Sequence, residues 1–144
     1  MFGMFDSLAE MHGVEKIKTI GDAYMAACGI PQPVTDHAHR VVALGKSMLD
    51  SLARTAAAED RFHIRVGVHT GPVIAGLIGK RRFVYDVWGE TVNIASRLES
   101  QGIADRMQIS EATRNALGIA WQLEPRVATE LKGIGRIGTY FVRN

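Results

Sequence analysis

The sequence predicts an α/β sandwich, and three patterns in it carry that expectation. Apolar residues recur at the 3.6-residue helical spacing in three separate stretches. Short β-branched or alternating runs lie between those stretches. Glycine-bearing turns separate the runs, one of them only two residues long.

In chain order, Met1, Met4, Phe5, Leu8 and Met11 share one helical face, with no Ser, Thr, Asp or Asn cap before them. That uncapped start reads as a fragment boundary. Val14–Ile20 and Ala23–Cys28 form two strand-like runs joined by Gly21-Asp22, the signature of a tight hairpin. Residues 30–34 connect to a helix opened by Thr35 or Asp36, with Ala38, Val41, Val42, Gly45, Leu49 and Leu52 as its stripe. Phe62–His69 alternates apolar and polar residues as a half-buried strand does, and Thr70–Lys80 carries enough glycine to read as a loop or bulged segment. A short strand at Arg82–Trp88 then leads to a helix over Glu90–Gln101 facing inward through Thr91, Ile94, Ala95 and Leu98. Met107–Ile109 is the next strand, Ser110-Glu111 opens a short helix, and Trp121–Val127 and Thr139–Val142 close the chain as strands.

At 144 residues the chain is a single domain that can bury a core without staples. Hydrophobic content of 47% and charged content of 22% are ordinary for a globular domain. A net charge of +2 brings no basic stripe and no helix-turn-helix reader, so nucleic acid is not an expected partner. The single cysteine, Cys28, has no disulfide partner in the chain and reads as a small strand hydrophobe, which suits a reducing compartment. No apolar run reaches the ~18–20 residues that span a bilayer, and no signal-peptide pattern opens the chain. The expected location is cytoplasmic, compatible with a membrane tether elsewhere.

Several groups could carry chemistry. Asn93 and Arg97 are four apart on one helix and lie together, away from its apolar face. They are either solvated surface groups or a ligand-facing pair. Asp86 sits among Phe83, Val84, Tyr85, Val87 and Trp88, where a carboxylate costs energy to bury unless it is hydrogen-bonded. Asp22 fits a turn residue as well as a ligand. Lys16 and Lys18 point to one face of their strand and are either edge charges or readers of a ligand. Lys80-Arg81-Arg82 and Lys132 are each open between solvated charge and phosphate contact. The Thr70–Lys80 stretch lacks the order of a P-loop. The spacings of His37/His39 and of His63/His69 argue against a shared metal.

Four blocks occur in an order that resembles the class III nucleotidyl cyclases of the adenylyl type. They are Glu15–Gly29, Arg65–Val73, Tyr85–Arg97 and Leu131–Gly135. The resemblance implies a ferredoxin-like two-layer sandwich. It implies an adenylate cyclase that converts ATP to cyclic AMP and pyrophosphate by attack of the ribose 3′-oxygen on the α-phosphorus. Lys18 and Asp86 would read the adenine edge, Asn93 would position the ribose, and Arg97 would stabilise charge on the α-phosphate. Lys132 and Arg81 would hold the terminal phosphates. Asp22 would be one of two aspartates holding two Mg2+ or Mn2+ ions, in composite sites shared across a homodimer. The family's first strand, with its other metal aspartate, has no counterpart here, and Asp6 on its helical pattern is no substitute. The domain is therefore expected to be partial, with little activity alone. The alternative is an inactive nucleotide-binding or dimerising module.

Overall fold

The computed structural model describes residues 1–55, 62–79 and 84–143. Its elements are α1 (Phe2–His12), β1 (Glu15–Ile20), β2 (Ala23–Ala27), α2 (His37–Thr55), β3 (Val66–Val68), β4 (Ile74–Ile78), β5 (Val84–Trp88), α3 (Glu90–Ser100), β6 (Met107–Ser110), α4 (Glu111–Leu117), β7 (Leu123–Leu131) and β8 (Gly135–Val142). The α/β class expected from the sequence holds. The strands fall into three sheets: the β1–β2 hairpin, the β4–β5 ribbon, and a four-stranded sheet in the order β3-β6-β8-β7. Within the last, β3 and β6 run parallel, and the other pairs are antiparallel.

The long helix α2 organises the core. Its stripe is wider than the sequence spacing suggests, because Leu44 and Met48 are buried along with Ala38, Val42, Gly45 and Leu52. One side packs with Phe5 and Ala9 of α1 and with Val14. The other packs, through Val42, on Val68, Met107, Ile109 and Val142 of the four-stranded sheet. Val42 and Ile109 are fully buried, a burial that contributes about 1.5–3 kcal/mol for each such side chain. On α1 the buried positions are Phe5 and Ala9, whereas Met11, expected on that face, is 77% exposed. The helix stops at Gly13, whose left-handed φ of 69° suits glycine.

Strand parity decides what covers the sheet. Met107 and Ile109 face α2, so Gln108 between them points to the opposite face, where it bonds to α3. All four residues of β6 are buried in consequence. Around β3 and β6, helices therefore lie on both faces of the sheet.

Three local expectations change. Of Phe62–His69 only Val66–Val68 is strand, and Phe62 is 65% exposed. Pairing with the second parallel strand begins where the Val66 amide donates to the Arg106 carbonyl at 3.2 Å. The glycine-rich Thr70–Lys80 stretch, expected as a loop or bulged segment, contains β4, which pairs along its length with β5 in unbroken register. Lys16 and Lys18 do not share a direction. A bulge lies between them, and Lys16 reaches Asp6 while Lys18 reaches Asp86. The Gly21-Asp22 hairpin forms as expected, with Ile20 opposite Ala23 and Gly21 at φ 57°. Ser110 caps α4, accepting from the Thr113 amide at 3.3 Å.

Candidate active site

The site is built where the β1–β2 hairpin meets the β5–α3 segment. Lys18 Nζ donates to Asp86 Oδ2 at 2.9 Å, joining two strands that belong to different sheets. The other carboxylate oxygen, Oδ1, accepts from the Val87 amide at 2.8 Å. The hydrogen bond from Lys18 holds the Asp86 carboxyl below its ordinary value, against a desolvation that pushes it up, with the Val87 amide assisting. Asp86 is thus an ionised, acceptor-only group with a fixed orientation. Its side chain is 18% exposed and that of Lys18 is 35% exposed, so both still present polar edges outward.

The strand turns into α3 through Gly89, at φ 121°. A side chain there would be strained, and glycine lets the helix start directly after Trp88. Asn93 is exposed on α3 and Arg97 half-buried one turn further on. Neither side chain has a hydrogen bond or ion pair within the described residues, so both remain available to a ligand. The first turn of α3 is tied down by Thr91, whose hydroxyl donates to the Pro72 carbonyl at 2.5 Å.

Among the described residues, neither Asp22 nor Lys132 shares a hydrogen bond or ion pair with this group. Asp22 is exposed at the hairpin turn, and Lys132 is exposed in the turn between β7 and β8. Arg81, with Lys80 and Arg82, lies outside the described residues. Asp6 is bound to the fold, accepting from the Tyr24 hydroxyl at 2.8 Å and from Lys16. The Tyr24 hydrogen bond holds the Asp6 carboxyl below its usual value, and burial raises the Tyr24 hydroxyl well above its own. Among the described residues no group of three or more His, Cys, Asp or Glu side chains could hold a metal ion. Asp22, a lone exposed carboxylate, does not make a site for two ions by itself.

Beside the start of α3 lies an open, mostly apolar cleft of about 550 Å³, with His69, Pro72, Ile74, Trp88, Glu90 and Thr91 on its walls. It contains none of the expected site residues. His69 Nδ1 sits 2.6 Å from the Ser110 hydroxyl, and burial pushes the ring below its ordinary pKa, with Glu90 opposing. The sequence reading also passed over Gly67, Gln108 and Arg126, which hold α3 to the sheet. One signal for Gln108 was available: a lone amide between the apolar Met107 and Ile109.

This architecture agrees with the matches to known proteins. The family model "Adenylate and Guanylate cyclase catalytic domain" matches residues 1–144. The rat guanylate cyclase soluble subunit beta-2 is 41% identical over 145 residues, covering 99% of this chain and 21% of that protein. An adenylate cyclase of Mycobacterium tuberculosis is 37% identical over 143 residues, covering 99% of this chain and 32% of its own. The guanylate cyclase domain of RhGC from Catenaria anguillulae, solved with GTP, superposes with a TM-score of 0.92 at 35% identity, covering 99% of this chain and 79% of that one. The fold and the paired blocks define a class III nucleotide cyclase core. The chain belongs to the adenylate and guanylate cyclase catalytic-domain family. It spans less than a third of the length of these two curated relatives, which include both adenylate and guanylate cyclases. No helix among the described residues is long and apolar enough to cross a membrane.

Proposed function

We propose that this domain converts ATP to 3′,5′-cyclic AMP and pyrophosphate. The observation that carries the reading is the Lys18–Asp86 pair at 2.9 Å. An ionised aspartate accepts from an exocyclic amine and repels a carbonyl oxygen, and a lysine donates to a ring nitrogen. Adenine offers the amine and an acceptor nitrogen on its pairing edge. Guanine places its carbonyl oxygen where adenine has the amine, so the pair favours ATP over GTP. A rhodopsin-guanylyl cyclase with converted specificity, solved with ATPαS, is 36% identical with a TM-score of 0.89, which supports a scaffold able to take either base.

Asn93 orients the ribose so that its 3′-oxygen faces the α-phosphorus. Arg97 lies one turn away and offsets the negative charge that grows on the α-phosphate as the oxygen attacks and pyrophosphate leaves. A donor aimed at such a developing charge contributes on the order of 3–4 kcal/mol to catalysis. Lys132, with Arg81, holds the terminal phosphates. Asp22 is this chain's donor toward Mg2+ or Mn2+. Because Asp22 stands alone, no step of the reaction is assigned to a metal here.

Among the described residues Asp22 shares no hydrogen bond or ion pair with Asp86, Asn93 or Arg97, which fits a site shared between two copies. The β4–β5 ribbon exposes Ile74, Leu77 and Ile78, an apolar strip suited to a second copy. The apolar strip also fits a second reading, a domain that binds nucleotide and dimerises without turnover.

The test is to incubate the chain with Mn2+ and either ATP or GTP and quantify both cyclic products. Calorimetric binding of a non-hydrolysable ATP analogue and sedimentation velocity run in parallel. Cyclic AMP in excess of cyclic GMP supports the proposal. ATP binding without product supports the second reading. Cyclic GMP as the main product overturns the base-reading roles of Lys18 and Asp86.

A further inference from the structure

α3 is held at its far end by three strands of the four-stranded sheet. The last carbonyls of a helix have no partner within it and must find one elsewhere. Here the Gly102 amide bonds to the Glu99 carbonyl and leaves the Leu98 carbonyl free. Gln108 of β6 fills that position, its Nε2 donating to Leu98 O at 2.9 Å. The Gln101 carbonyl, at the helix cap, accepts from Arg126 Nη1 of β7 at 2.8 Å. The same Nη1 donates to Gln108 Oε1 at 2.8 Å. The Gln108 amide is therefore oriented from both sides, and it is completely buried. A cation beside a helix C-terminus is further favoured by the helix dipole. Arg126 also lies over the Phe141 ring at 5.2 Å.

The third strand meets the helix through its backbone. A Cβ on Gly67 of β3 would run into the Glu99 amide nitrogen and stand 2.7 Å from the Ala95 carbonyl oxygen. Glycine here lets α3 rest directly on β3. The contact sets how close the helix approaches, and the two side-chain bonds set where along the sheet its last turn sits.

We propose that Gln108 and Arg126 are positioning residues for the cyclisation, acting through α3 on Asn93 and Arg97. The proposal rests on the roles given above to those two residues. The base readers Lys18 and Asp86 belong to β1 and β5 and lie outside this grip. Loosening it shifts the ribose and α-phosphate groups relative to the bound base. Binding of the base persists while the reacting geometry degrades, and a misplacement of about 1 Å can cost on the order of 100-fold in rate.

The experiment compares Gln108→Glu, Arg126→Lys and Arg126→Met in the chain as it stands, with steady-state kinetics on ATP and amide hydrogen exchange. Gln108→Glu keeps the volume and the pairing with Arg126 but sets an acceptor against the Leu98 carbonyl. The expected result is kcat lowered roughly 10- to 100-fold, KM little changed, and faster exchange across α3 but not α2. Arg126→Lys, which retains a donor, keeps more turnover than Arg126→Met. Unchanged kcat per folded molecule in both Gln108→Glu and Arg126→Met, with only the melting temperature lowered, would mean a purely structural role and overturn the proposal. If the unsubstituted chain forms no cyclic nucleotide, the functional reading is what fails, and exchange alone judges the grip. Faster exchange confined to α3 upholds it, and unchanged exchange overturns it.

Discussion

Lys18 and Asp86, 68 residues apart in the chain, meet at 2.9 Å, and the hydrogen bond from the ammonium holds the carboxyl below its ordinary value. Placing an acceptor at position 18 and a thiol at position 86 reverses the hydrogen-bonding sense of the pair. The double substitution Lys18→Glu with Asp86→Cys should move preference from ATP towards GTP by at least tenfold, about 1.4 kcal/mol in relative kcat/KM. Competition between the two nucleotides at equal concentration, read as cyclic AMP against cyclic GMP, checks this. Undiminished preference for ATP would refute the assignment.

The same pair has a pH signature. Lys18 lowers the carboxyl of Asp86 in the folded state below its unfolded value of about 3.9. A group shifted this way contributes stability that is fully present above the unfolded value. That stability is lost as the pH falls through the lower, folded value. Urea unfolding of the unsubstituted chain and of Asp86→Asn should therefore show a constant difference from neutrality down to about pH 5, closing only on further acidification. A difference that closes between pH 7 and 6 would point to another group.

Arg97 separates chemistry from stability. Its side chain has no partner among the described residues, so Arg97→Ala should leave the melting temperature nearly unchanged. Loss of its charge at the α-phosphate should lower kcat by about 100- to 1000-fold. A large fall in melting temperature with a proportionate loss of activity would assign Arg97 to the fold.

Thr113 is the converse case. It is fully buried, and its hydroxyl lies 2.9 Å from that of Thr70 and 3.4 Å from the Val68 carbonyl. Thr113→Val preserves shape and leaves those groups without a buried partner, at a cost of about 1–3 kcal/mol. Chemical denaturation measures it, and a change below 0.5 kcal/mol would show that Thr70 re-pairs, since that lies within the usual scatter of neutral substitutions.

What could be read from the sequence was mostly local. The Gly21-Asp22 hairpin and the Ser110 cap each rest on signals within a few residues, and each is present, whereas of the face expected on α3 only Leu98 is fully buried. β4 was missed because its neighbouring glycines resemble loop signals, while its strand character comes from pairing with β5, which local pattern does not reveal. Lys18 and Asp86 were each ambiguous alone, and no spacing rule joins residues so far apart. Only the ordered blocks of the family placed them in one site. The grip on α3 left a fainter trace, since Gly67 reads as any strand glycine until a helix is seen resting on it.

The parallel pairing of β3 with β6 also bears on how the domain is made. Parallel strands cannot be closed by a tight turn, and here β4, β5 and α3 all lie in the connection between them. The entropy of closing that long loop must be met before Gln108 can reach the helix. The topology implies, as a hypothesis, that α3 gains its partners in the same slow step that docks β6, after the two local hairpins have formed. Stopped-flow refolding tests it: Gln108→Glu should retard refolding, whereas an effect confined to the unfolding rate would place the docking later. On this view Asn93 and Arg97 are among the last groups to reach their places, and a newly synthesised chain would have the β1–β2 hairpin formed before α3 is docked.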